Sequence, residues 1–161
     1  MMNWKRAGIL LLAVVACAAC GHNRPADEPD LRFAQTPSNP YEEAFVKEEG
    51  VRPITWGGWI KTERPGTGAS PTADNVVSVK YRGTLTDGTE FDSSYTRGRP
   101  AVFSLRNVVS CWTNGVPMMK VGEKAKLVCP ASAAYGDKGF PPIVPPNSEL
   151  TFEIELLEIL R

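Results

Sequence analysis

The sequence predicts an α+β domain over residues 54–161: one twisted antiparallel β-sheet of about five strands wrapped over one short α-helix. Three observations predict it. Apolar and polar residues alternate in several separate stretches, the mark of strands with one dry and one wet face. An Asp87-Gly88 pair directly follows one of them and marks a hairpin. Only one later stretch, 110–116, has the spacing of a helix able to cover the dry face.

The elements follow in order. In "NVVSVKYRG", Val77, Val79 and Tyr81 alternate with Ser78, Lys80 and Arg82. Asp87-Gly88 then turns the chain, because both residue types tolerate positive φ. In "SCWTNGV", Ser110 suits an N-cap, Trp112 and Val116 share one side at i, i+4, and Pro117 ends the run. "EKAKLVC" puts Ala125, Leu127 and Cys129 on one face. "ELTFEIELLEIL" sets Leu150, Phe152, Ile154 and Leu156 against Glu149, Thr151, Glu153 and Glu155. One sheet folded on one helix accommodates them all.

Ahead of the domain the composition changes. Lys5 and Arg6 precede "AGILLLAVVACAAC", an apolar run too short for a comfortable membrane span and of the length of a signal h-region. With its cysteines, residues 1–17 resemble a bacterial lipoprotein signal. That resemblance implies lipidation at Cys17, with Cys20 as the alternative, and a cell-envelope location. Neither Ala18 nor Gly21 is the aspartate that retains such proteins at the inner membrane, so the outer membrane, facing the periplasm, is the expected site. An ordinary cleaved signal is the competing reading. Residues 18–53 read as a tether rich in Pro and polar residues. Within it, Tyr41, Ala44 and Phe45 at i, i+3, i+4, with Gly50 as a stop, predict a short helix.

The 161 residues carry zero net charge, which leaves no basic surplus for nucleic acid. The single histidine, His22, sits in a polar stretch and reads as a solvated tail residue rather than a metal ligand. No phosphate-cradling glycine loop and no Ser/His or Cys/His pair is present, and no cofactor or metal is expected. One loop is unusual. "YGDKGFPPIVPP", 135–146, contains four prolines yet displays Phe140, Ile143 and Val144. Proline excludes helix and central strand. A stiff apolar loop beside a cleft suits the lip of a rigid apolar pocket.

At this point the chain resembles a known family, the FKBP-type peptidyl-prolyl isomerases, over roughly residues 57–161. The resemblance is carried by "VVSVKYRGTLTDGTEFDSS", "VVSCWTNGVPMMKVGEKAKLVCP", "AYGDKG" and "IVPPNSELTFEIELLEI" in that order. It implies a pocket for proline-containing segments of unfolded or exported proteins, inhibited by tacrolimus- or rapamycin-type macrolides. Trp112 is then the floor. Tyr81, Phe91 and Phe152 are the walls, and Val108, Val109, Phe140, Ile143 and Val144 complete the pocket. Tyr135 is expected to donate its hydroxyl to a substrate carbonyl, and Asp92 to orient the site. Taken singly, Trp112, Tyr81 and Phe152 read as core, and Asp92 as turn chemistry. Phe140 stands where the family often has histidine, and Ala101 where some members have a pocket aromatic, a gap that Phe103 is placed to fill.

The resemblance also brings Cys111 and Cys129 near one another, so a disulfide is expected, against two free buried thiols as the alternative. No long helical dimerisation segment precedes the domain, and a monomer is expected. Two functional readings remain: an isomerase assisting folding of exported proteins, and a peptide-binding chaperone module with little turnover.

Overall fold

The structure is a computed structural model that describes residues 36–161. The expectations for the signal, Cys17, Cys20 and His22 lie outside the described residues. Seven strands form one antiparallel sheet. They are β1 (Val51–Pro53), β2 (Trp59–Arg64), β3 (Val76–Leu85), β4 (Glu90–Ser93), β5 (Ala101–Ser104), β6 (Lys124–Cys129) and β7 (Leu150–Ile159). Their order is β1-β2-β6-β7-β3-β4, and β5 also pairs with β3, beside its first half. The long strands β3 and β7 are the spine, in a register that sets Tyr81 opposite Ile154 and Gly83 opposite Phe152.

The alternation works as its chemistry requires. Val77, Val79, Tyr81, Ala125, Leu127, Cys129, Leu150, Phe152, Ile154 and Leu156 are all buried in one core. The helix α2 (Ser110–Gly115) lies in the concave side of the sheet. Six residues cannot hold a helix in water. Complete burial of Cys111, Val116 and Met119, with Trp112 nearly so, stabilises it instead, at roughly 1.5–3 kcal/mol for each large apolar side chain. A disulfide joins Cys111 on α2 to Cys129 on β6, with Cα atoms 5.8 Å apart.

Several expectations need adjustment. Ser110 is not the N-cap; Val109 is, and the Ser110 hydroxyl donates to the Ala133 carbonyl at 3.1 Å. At the hairpin only Gly88 has positive φ (86°). Asp87 instead accepts the Thr89 N–H at 2.9 Å, so the turn is a three-residue loop with glycine in the left-handed position. The sheet has seven strands rather than about five, because β1 and β5 are too short to display alternation.

Ahead of residue 54, parts of the segment 39–53 pack against the sheet. Helix α1 (Pro40–Phe45) is capped by Asn39, whose side chain accepts the N–H groups of Tyr41 and Glu42. Its contact face is Tyr41, Glu42 and Phe45, whereas Ala44 is exposed. Phe45 forms a second small core with Trp59 and Val128 on the face of the sheet opposite α2. Strand β1 then pairs with β2, Val51 opposite Lys61. The physical cause lies in β2 and β6, where Trp59 and Val128 break the polar half of the alternation and need cover.

Removal of the Cys111–Cys129 bond, which closes an 18-residue separation, is expected to lower stability by about 3 kcal/mol on the chain-entropy model. Urea unfolding of the oxidised protein, the reduced protein and a Cys111→Ala/Cys129→Ala variant checks it. Coincident midpoints for oxidised and reduced protein would show that the bond adds nothing.

Candidate active site

At one end of the sheet's concave face is a cavity of about 390 Å³. Trp112, in the first turn of α2 and 3% exposed, is its floor. Tyr81 from β3, Phe103 from β5 and Phe152 from β7 meet the indole almost at right angles, at centroid distances of 5.3, 5.5 and 5.3 Å. Phe91 from β4 stands edge to face on Phe152 at 5.7 Å. Such contacts set ring edges against ring faces and contribute about 0.5–1.5 kcal/mol each beyond burial. The indole Nε1 is buried with no hydrogen-bond partner among the described residues, so packing rather than a polar contact seats the ring. Gly83 on β3 leaves the space these rings occupy. A Cβ there would lie 2.6 Å from Phe91 Cζ and 3.1 Å from Phe152 Cε1.

The polar groups sit to one side. The Tyr81 hydroxyl donates to the Asp92 carboxylate, and Arg97 donates to the same carboxylate and, at 2.7 Å, to the Tyr81 oxygen. The Arg97 guanidinium also stands 5.4 Å from the centre of the Tyr81 ring. Burial, reinforced by the bond to Asp92 and opposed by Arg97, pushes the Tyr81 hydroxyl up to about 12. Burial alone would raise Asp92 too, but the hydrogen bonds from Tyr81 and Arg97 outweigh it and hold the carboxyl below the usual carboxylate range. Asp92 is therefore charged and Tyr81 neutral at neutral pH. Tyr135, at the rim, has its hydroxyl raised by burial and then by the Asp92 charge. That hydroxyl makes no hydrogen bond among the described residues, which leaves it free to donate at the rim of the slot.

This arrangement has neither nucleophile nor general base in play. It suits a neutral, ring-sized apolar group carrying a carbonyl. Residues 68–157 match the family described as FKBP-type peptidyl-prolyl cis-trans isomerase. The chain belongs to this family.

Among FKBP-type relatives, the FKBP-type peptidyl-prolyl cis-trans isomerase FkpA of Escherichia coli (strain K12) is 44% identical over 132 residues, covering 82% of this chain and 48% of that protein. The chain thus spans about half the length of that relative. The FK506-binding protein 1A of Emericella nidulans is 50% identical over 100 residues, covering 59% of this chain and 91% of that protein. The crystal structure of FkpA from Escherichia coli superposes with a TM-score of 0.71 at 46% identity, covering 74% of this chain and 55% of that one. The FKBP-type fold, an antiparallel sheet with a single short helix against it, is thereby shared.

Of the residues that the sequence singled out, Tyr81, Phe91, Asp92, Val108, Val109, Trp112, Tyr135 and Phe152 line the cavity. Phe140, Ile143 and Val144 do not. Phe140 and Val144 exchange backbone hydrogen bonds at 2.8 and 2.9 Å. This tight reversal turns Phe140 (53% exposed) and Ile143 (47%) outward and Val144 (1%) into the core. Phe140 still reaches the rim, stacked on Tyr135 at 5.5 Å. Phe103, expected to fill the gap at Ala101, lines the cavity, and Asn107 joins it. Arg97 and Asn107 were missed. Arg97 has no periodic signal, and returns to Asp92 only through the turn closed by Gly98 N–H on the Tyr95 carbonyl at 2.9 Å.

Gly83→Ala is expected to destabilise the domain by about 1–3 kcal/mol by overpacking the Phe91–Phe152 wall. Urea midpoints measure this, and a midpoint equal to the parent's would mean that the wall yields freely.

Proposed function

We propose that the protein is a peptidyl-prolyl cis-trans isomerase that assists folding of exported proteins in the bacterial envelope. The observation that carries this reading is the dry aromatic slot floored by Trp112, with Tyr135 as its free donor and Asp92 as its fixed charge. The reaction needs no covalent step. Rotation about X–Pro breaks amide resonance against a barrier of about 18–20 kcal/mol. The planar amide is the more polar form, with more negative charge on its oxygen than the twisted amide has. A pocket that excludes water and sets a carboxylate nearby disfavours the planar forms more than the twisted one, and so lowers the barrier by differential binding.

The roles divide accordingly. Trp112 receives the proline ring, while Tyr81, Phe91 and Phe152 with Val108 and Val109 enclose it. Tyr135 donates to a substrate carbonyl and fixes the peptide's orientation. Asp92, held by Arg97 and Tyr81, keeps its charge in place. Tacrolimus- or rapamycin-type macrolides would occupy the same slot, a reading supported by the similarity to an FK506-binding protein. A second reading, a peptide-binding chaperone module with little turnover, is favoured by the outward Phe140 and Ile143.

Cis/trans rates on short proline peptides, with several residues tested before proline, decide between the two. Acceleration is expected, and a folded sample that accelerates none of them leaves only the chaperone reading. Tyr135→Phe removes one hydrogen bond of about 0.5–1.5 kcal/mol. It is expected to lower kcat/KM by roughly 2- to 12-fold while leaving the urea midpoint in place. Unchanged rates on every substrate would refute the donor role.

The same proposal puts the protein, as a monomer, on a lipid anchor at Cys17, or at Cys20, in the outer membrane facing the periplasm. The apolar run and the two cysteines beside it support this. Among the described residues no helix is long and apolar enough to cross a membrane. Mass spectrometry of the mature N-terminus is expected to find a diacylglyceryl cysteine; an unmodified soluble form would exclude the anchor.

A further inference from the structure

Two acids that the isomerase reading does not use meet where the N-terminal arm touches the domain. Glu42 on α1 is 2% exposed, and Glu149, directly before β7, is 9% exposed. One asparagine ties them together. Asn39 Oδ1 caps α1, and Asn39 Nδ2 donates to Glu149 Oε2. The Ser38 N–H donates to Glu42 Oε2 at 2.7 Å. The remaining oxygen of each carboxyl, Oε1, is buried and without a partner among the described residues. An ionised carboxylate can only accept hydrogen bonds, so two charged groups would leave both oxygens orphaned. A protonated acid donates, and satisfies its neighbour and itself at once.

Among the described residues no cation pairs with either acid. From α1 come Glu43, which is exposed, and Tyr41, whose hydroxyl lies 3.0 Å from Thr151 Oγ1 on β7. The β3–β4 turn contributes Asp87 to the wall of the recess beside Glu149. From β6, Lys126 lies 5.2 Å from the Phe45 ring centre. Farther along β7, Glu153 is paired with Lys124.

We infer that Glu149 holds a proton directed at Glu42, and that this proton fastens the N-terminal arm to the domain, so that losing it releases the arm. Burial, with Glu42 adding to it and Asn39 opposing, raises Glu149 from 4.5 to about 7. A carboxyl raised in the docked state favours docking fully below its free value, and that support is lost as pH rises through about 7. Glu149 ends the loop in which the Asn147 N–H binds the Gly136 carbonyl at 2.8 Å, next to Tyr135. The proton therefore decides whether α1 stays fastened to the start of β7.

Amide hydrogen exchange on the full chain, expressed as protection factors to remove the intrinsic effect of pH, tests this. Protection of Val46 and Val51 in the arm is expected to fall by roughly tenfold or more from pH 5 to pH 8, while amides of β3 and β7 hold theirs. In Glu149→Gln the amide donates permanently to Glu42, so the arm is expected to stay protected at both pH values. Glu42→Gln is expected to remove the pH dependence as well, and serves as the test if the first variant loses β7 protection. Arm protection that is level with pH in the parent, or that retains the parent's pH dependence in a folded variant, overturns the inference.

Discussion

Trp112 meets three aromatic rings at interplanar angles of 83–89°, and much of the domain can be understood as the means of keeping it there. The partner rings come from β3, β5 and β7, which are distant in sequence, so the sheet has to curl to gather them around one indole. The helix that carries the indole is too short to exist without the burial the sheet supplies. Gly83 is bare where a methyl group would strike the wall. The disulfide from Cys111 to β6 fastens the residue next to the indole to the sheet.

That seat is dry, which gives the few polar groups at its edge their meaning. Burial in such a place pushes a carboxylate toward its protonated form. Arg97 and the Tyr81 hydroxyl prevent this for Asp92, and in doing so they occupy the Tyr81 hydroxyl. The Tyr135 hydroxyl at the rim stays free to donate. The pocket thus holds a fixed charge, a free donor and aromatic walls, which is a poor site for bond-making chemistry and a suitable one for binding an amide in a chosen shape.

The opposite face of the sheet is only partly wet. Lys124, Glu153, Arg64 and Glu155 form ion pairs there, as an exposed antiparallel face allows. Trp59 and Val128 interrupt it, and α1 covers them. Covering them carries Glu42 inward toward Glu149, and it is this enclosure that makes two ordinary surface acids dependent on a proton.

The alternating strands at β3, β6 and β7 and the short helix with Trp112 were legible in the residues themselves, whereas the pocket positions Tyr81, Phe91, Trp112, Tyr135 and Phe152 came through the family resemblance, since singly Trp112, Tyr81 and Phe152 read as core. Periodicity and local turn chemistry act over a few residues and need no partner to be read. The residues that escaped, Arg97 and Asn107, belong to turns and loops without periodicity, and their roles exist only once distant strands bring Asp92 and Trp112 beside them. Phe140, Ile143 and Val144 were legible as an apolar loop but not in their directions, because one backbone reversal decides which side chains face out and which face in. The short helix at 40–45 was legible but its packing was hidden for a related reason: its stability comes from Trp59 and Val128 on other strands. The sequence by itself determined which elements form, through local propensity and pattern. Only the tertiary structure decided which charges are held and which protons are kept, because burial and long-range partners set those energies.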